Sequence, residues 1–307
     1  MTLSSFTPFD DWNMKACMSS FAPTSFAESS SDPPTHNRVL LANIPDSWSW
    51  QHFLDRAMRV VAQSHEYESN YVATGQKGDQ SVTEHWSSLG YPPEHVLHKN
   101  TNFVASQLIW SCRAPLASPW LTMKSLSMLH PESLKPRSLA DRKVVLYMTR
   151  NNGLARNGGR QITNEDLLLV EIRNVLDLRG QNEILHVFSH NDFENTTSLM
   201  RYMHQNVKAI IGPHGSALHN SFWTGPDTLV VEFQPSSRPD LAFYESTKLR
   251  EHQYAVLMLD SVDDNHNMEA DIPAVVEILK DRLGQEVRVG DRMKLAYDWE
   301  AEELEVR

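Results

Sequence analysis

Between Lys143 and Phe233 the chain alternates in the order β-loop-α-β-α-β-α-β, which predicts an α/β protein with a doubly wound parallel sheet in its C-terminal half. Three observations carry this expectation. The strand-like runs are short and apolar, as in KVVLYMT (Lys143 to Thr149) and Ala209-Ile210-Ile211. The intervening stretches place apolar residues on one helical face, as with Leu199 and Met203. Gly-rich or polar turns separate the two kinds of run.

The 307 residues suffice for two modest domains or one large one. A chain that is 40% hydrophobic and 22% charged has the composition of a globular protein. The net charge of −11 argues against general nucleic-acid binding, while leaving room for a local basic site. Cys17 and Cys112 are too few for a disulfide framework, and no bridge is expected. No apolar run approaches the roughly 18 residues of a membrane helix. The start, MTLSSFTPFDDWNMKACMSS, lacks the basic and apolar regions of a signal peptide.

Residues Met1 to about Thr35 are rich in Ser, Pro, Phe and Asp without periodicity, and read as a poorly ordered arm. RVLLA (Arg38 to Ala42) is the first strand. WQHFLDRAMRVVAQ (Trp50 to Gln63) is an amphipathic helix with Phe53, Ala57 and Val60 on one face. His52, Asp55, Arg56 and Arg59 lie on the other, as a solvated polar face or a functional one. Ser69 to Ser81 reads as a loop and Ser81 to Leu89 as a short helix. Phe103 to Trp110 reads as a strand. The prolines at 115, 119, 131 and 136 make Ser111 to Pro136 an irregular crossover, with a domain boundary near its end.

After KVVLYMT comes the glycine-containing loop Arg150 to Gln161. Asn164-Glu165-Asp166 starts a helix with a polar cap and first-turn acids. Ile184 to Phe188 is a strand and Thr196 to Asn206 a helix. Then comes KAIIGPHGSALHNSFWTGPDTLVVEFQP (Lys208 to Pro235), read as strand, tight turn, short helix capped by Ser216, loop and strand. A strand that ends in a Gly-rich turn and feeds a helix aims free N–H groups at one spot, which favours an anion. Tyr254 to Leu259 is a further strand and Ile272 to Leu283 a helix. Asp298 to Arg307 is acidic and reads as a solvated helix or tail.

Charge is uneven along the chain. Lys135, Arg137, Arg142, Lys143, Arg150, Arg156 and Arg160 share a stretch whose sole acid is Asp141. Arg can grip phosphate with paired hydrogen bonds, and Arg150 directly follows a strand, where open α/β sheets bind ligands. A solvated loop is the competing reading. No GxGxxG follows a strand, and no P-loop, HExxH or GxSxG is present. His52, His214 and His219 lack metal-ligand spacing, so no metal is expected.

HGSALHN followed by VVEFQP resembles the HG-A-x-L-x-N … VVE-x-x-P signature of glycosyltransferase family 61. That family includes plant xylosyl- and arabinosyltransferases and animal O-linked GlcNAc transferases of the secretory pathway. Arg150, then Arg160, Ile162, Asn164 and Glu165, is similar to its R-x(n)-R-x-I-x-N-E run. His219 departs from the pattern and is read as structural. The resemblance is specific over Lys143 to Pro235 and weaker over Arg38 to Gln63.

The resemblance implies a GT-B fold of two Rossmann-like domains, a UDP-sugar donor, a glycan or glycoprotein acceptor, inversion, and neither metal nor cofactor. The expected division is an arm (1–35), an acceptor-side domain (36–134), a nucleotide-sugar domain (135–262) and a C-terminal helix with tail (263–307). The relatives are usually luminal in the ER or Golgi behind an N-terminal anchor, which residues 1–20 do not show. Donor binding is assigned to Arg150, Arg160, Asn164, Glu165, His214, Gly215, Ser216, Asn220 and Glu232; the strand-end position of Glu232 suits a ribose, with a helix-capping or salt-bridged acid as the competing reading. His52 or Asp55 would supply the catalytic base. A non-catalytic nucleotide- or glycan-binding module on the same fold is the alternative.

Overall fold

The computed structural model describes residues 33–42, 47–98, 101–110, 118–130, 135, 137–153 and 158–286. The N-terminal arm up to residue 32, Cys17, Cys112, Arg156 and the acidic end Asp298 to Arg307 lie outside these residues. The chain forms two compact units, Met1–Pro131 and Glu132–Arg307. Both sheets are parallel throughout, and the protein is of mixed α/β class.

The first unit holds β1 (Thr35–Leu41), β2 (Tyr71–Ala73), β3 (Val96–Leu97) and β4 (Val104–Trp110), in the order β3-β2-β1-β4. Ser69 to Ser81, expected to be a loop, contains β2. Its YVA is too short and too poorly bounded for periodicity to register. Helix α1 runs through Trp50–His52, a π-helical turn Phe53–Ala57 and Met58–Gln63. The apolar positions Phe53, Leu54, Ala57, Met58, Val60 and Val61 are all buried. Arg59, expected on the solvated face, is buried too. Met58, Arg59, Val60, Val61 and Ala62 are all buried, so this part of α1 has no solvated face for Arg59 to occupy.

Helix α2 (Gln80–Ser88) is capped by Asp79, which accepts from the Val82 N–H at 3.1 Å. Helix α3 (Pro119–Leu129) occupies part of the stretch expected to be irregular. Pro119 stands at its first position, where a missing N–H costs nothing, and Ser118 caps it. The proline that read as a breaker is a helix starter.

The second unit holds β5 (Val144–Tyr147), β6 (Ile184–Val187), β7 (Val207–Pro213), β8 (Leu229–Pro235) and β9 (Gln253–Leu259). Their order is β6-β5-β7-β8-β9. Helices α4 (Glu165–Arg179) and α7 (Ile272–Arg282) cover one face, through Leu168, Ile172, Val275 and Leu279. Helix α5 (Thr196–Asn206) opens with an Asn195/Ser198 capping box. Helix α6 (Ala242–Leu249) was not anticipated from sequence. Helix α4 ends at Gly180 in the left-handed region, φ 60°, which closes the helix without a side-chain clash.

The segment Ser216–Trp223 is a 3-10 helix, and Gly215 rather than Ser216 occupies its cap position, with no side-chain cap bond. Asn164 does not cap α4 either. Its amide binds the Ala270 backbone both ways, Nδ2 donating to the carbonyl at 3.0 Å and Oδ1 accepting from the N–H at 2.9 Å. Arg142, part of the basic run, is also redirected. It precedes β5, at the opposite end of that strand from Arg150, and is buried. It donates to Pro226 O at 2.6 Å and Thr228 Oγ1 at 2.7 Å, with longer bonds to Gly225 O and Val207 O.

Candidate functional site

The strand order reverses between β5 and β7. The chain leaves β5 for β6 on one side, then returns past β5 to β7, β8 and β9 on the other. In an open parallel sheet the crevice beyond the strand ends at such a reversal is where ligands bind. Arg150 follows β5 and His214-Gly215 follows β7, so both stand at this crevice.

The Arg150 guanidinium lies against Gly215. A Cβ on Gly215 would sit 2.6 Å from Arg150 Nη1, so the residue must be glycine or the arginine must move. Arg150 also holds the loop that carries Arg160: Nε donates to Gly159 O at 2.8 Å and Nη2 to Gly158 O at 2.9 Å. Burial, and next the Arg160 charge, lower the Arg150 pKa to about 10. Arg160 has φ 56° and its backbone N–H donates to Asn265 O at 3.0 Å. The residue is 9% exposed, and among the described residues its guanidinium has no hydrogen bond and no ion pair. Burial and then Arg238 lower its pKa, against Asp240 and Glu232, which raise it. The Arg160 charge thus acts on Arg150 and the Arg238 charge on Arg160, so cations crowd one another at this end of the sheet.

His214 is held from both sides. Nδ1 meets Glu232 Oε1 at 2.6 Å, and Nε2 lies 3.8 Å from Asp240 Oδ2. Its ring packs edge-on against Phe243, with centroids 5.3 Å apart. The Glu232 side chain is fully buried, and its second oxygen accepts from the Tyr254 hydroxyl. Burial first, then Glu232, push the Tyr254 phenol well above its usual pKa, so it is a permanent donor. Glu232 was expected to face a ribose. In the structure both its oxygens are engaged inside the protein, and it fixes the ring of His214 instead.

The remaining expected residues are placed as follows. Glu165 is half-buried and accepts from Thr149 Oγ1 at 2.8 Å and Tyr147 OH at 3.0 Å, so it braces the end of β5. Asn164 clamps the Ala270 backbone, as above. Asn220 is buried, and Nδ2 donates to Ala217 O at 2.9 Å inside its own turn. Ser216 is exposed beside Gly215. His52 and Asp55 belong to the first unit, on α1, with Nδ1 3.5 Å from Oδ2; Arg56 Nε lies 3.7 Å from the other Asp55 oxygen. Each of these side chains is about a quarter exposed or less.

Three residues at the site were not foreseen: Arg238, Asp240 and Tyr254. Arg238 and Asp240 lie in SSRPD, directly after β8. The rule that marked Arg150, position just past a parallel strand, would have found them. Among the described residues no group of His, Cys, Asp and Glu is arranged to hold a metal ion.

Parallel α/β units with cationic groups at a strand-order reversal are common among proteins that handle phosphorylated ligands. A family model described as Glycosyltransferase 61 matches residues 50–231, more than half of the chain and parts of both units. The chain belongs to glycosyltransferase family 61. No curated protein matches it.

Proposed function

We propose that the protein transfers a sugar from a UDP-sugar to a hydroxyl of a glycan or glycoprotein, with inversion and without a metal, in a GT-B arrangement. On this reading the second unit holds the donor and the first presents the acceptor. The observation that carries it is the Arg150 guanidinium, set against Gly215 and holding the loop that carries Arg160, at the strand-order reversal.

The acceptor oxygen attacks the anomeric carbon from the face opposite the diphosphate. The bond from that carbon to the diphosphate oxygen breaks, and its electron pair leaves with UDP. The acceptor proton passes to a base, for which His52, or Asp55 beside it, is the candidate. Arg150, Arg160 and His214 absorb the charge that builds on the departing diphosphate, and the first N–H groups of the 3-10 helix add to this. Fixed cations do here what an electrophilic group must do in any such reaction. Glu232 and Tyr254 keep the His214 ring from turning as that charge grows.

Calorimetric titration with UDP in EDTA should show binding by the full chain. Arg150→Ala should weaken it by about 1.5–3 kcal/mol, the scale of a charged hydrogen bond. Unchanged affinity removes Arg150 from the site. Slow release of UDP from a panel of UDP-sugars supports turnover. UDP binding with neither hydrolysis nor transfer supports a binding module on the same fold.

A further inference from the structure

Asp240 is an acid in a basic place. Its charge reaches Arg160, and its Oδ2 faces His214 Nε2 at 3.8 Å. Its position is fixed by Gln234, a nearly fully buried residue at the end of β8. Gln234 Oε1 accepts from the Asp240 N–H at 2.8 Å, and Gln234 Nε2 donates to the Asp240 carbonyl at 2.6 Å. Oδ1 accepts from the Ala242 N–H at 2.8 Å at the start of α6. About half of the side chain, 48%, remains exposed. The result is a half-exposed carboxylate with one oxygen on the Ala242 N–H and the other facing His214, within reach of the Arg160 charge.

A carboxylate in that position repels phosphate oxygens. What it accepts readily is a hydroxyl, and a carboxylate can take hydrogen bonds from two neighbouring hydroxyls of a sugar ring. Glu232 is unavailable for that work, because His214 and Tyr254 hold both its oxygens. We infer that Asp240 is the hydroxyl-reading residue of the donor pocket, accepting from a sugar ring of the ligand, either the ribose or the transferred sugar. This rests on the nucleotide-sugar reading above. It makes Asp240 a specificity-determining residue, since a ligand with phosphates and no ring hydroxyls meets its charge and gains nothing from it.

The test compares three probes on the wild type and on Asp240→Asn: inorganic diphosphate, UDP and a panel of UDP-sugars. Asn keeps the oxygen that caps α6 and removes the charge and one acceptor. Asp240→Ser, which also keeps a capping oxygen, serves if Asn lowers the melting temperature. The expected result is a roughly tenfold to hundredfold loss of affinity for the hydroxyl-bearing ligand. Diphosphate affinity should stay the same or rise, because a repelling charge has gone. A loss already present with UDP assigns the ribose. A loss seen only with a UDP-sugar assigns the transferred sugar. If affinity is unchanged or rises for all three probes, Asp240 acts only as a cap and the inference is overturned. If diphosphate weakens in step with UDP, the change is a general distortion and the inference again fails. If the wild type binds none of the probes, the nucleotide-sugar reading itself falls and takes this inference with it.

Discussion

Replacing Arg142 with alanine is expected to lower the unfolding free energy by about 3–5 kcal/mol. The guanidinium is among the largest fully buried groups in the protein, and burial brings its pKa down to about 10. It is sustained by the carbonyls of Val207, Gly225 and Pro226 and by Thr228 Oγ1. With Arg250, whose Nε and Nη2 donate to Phe222 O and Thr224 O, it fastens the turn between the 3-10 helix and β8. Alanine leaves buried acceptors without donors and opens a cavity of arginine size. Chemical denaturation of the full chain measures the effect. A loss below about 1 kcal/mol would mean that water or a neighbour replaces the guanidinium. Under conditions where the variant is folded, UDP affinity should be close to that of the wild type, because Arg142 lies at the other end of β5 from Arg150. A large loss of affinity there would return the residue to the phosphate site.

The second large effect is acid sensitivity of the first unit, set by His85. Its ring is fully buried in α2, stacked at 5.4 Å on Phe53 and 4.9 Å from Trp50. Burial lowers its pKa to about 3, and the neighbouring Glu84 offsets only part of this. Between pH 6.5 and about 3 the unfolded chain takes up a proton that the folded one refuses. Stability is therefore complete above pH 6.5 and falls as the pH drops through that window, by about 1.4 kcal/mol per pH unit. Denaturation at pH 7.5 and pH 5.0 should show about 2 kcal/mol of loss in the wild type that His85→Phe does not share. Equal losses in both proteins would show that His85 is accommodated in its charged form.

Much of the architecture is legible in the residues themselves. The alternation of apolar runs and helical periodicity gave the second sheet's strands, because a strand buried on both faces must be apolar and a covering helix must be one-sided. It also placed Arg150 and Gly215 at strand ends, and in the structure they touch. Short or unusual elements were harder to see. β2 is three residues long, α3 begins with the proline that looked like its terminator, and α6 follows a polar stretch with no strong period. Arg238 lies three residues beyond Pro235, outside the VVE-x-x-P signature.

The polar groups divide differently. Arg142, Asn164, Glu165, Asn220 and Glu232 all looked like candidates for ligand or anion contact in a one-dimensional reading. Each turns inward to a partner far along the chain or within its own turn. Sequence alone determined where the chain changes from strand to helix, and so which residues could reach the edge of the sheet, because periodicity and turn chemistry act over a few neighbours. Only the tertiary structure decided which of them reach it with a hydrogen-bonding group still free. That choice depends on which buried donors and acceptors meet across 18 residues, as in His214 and Glu232, or across 106, as in Asn164 and Ala270, and no local pattern carries it.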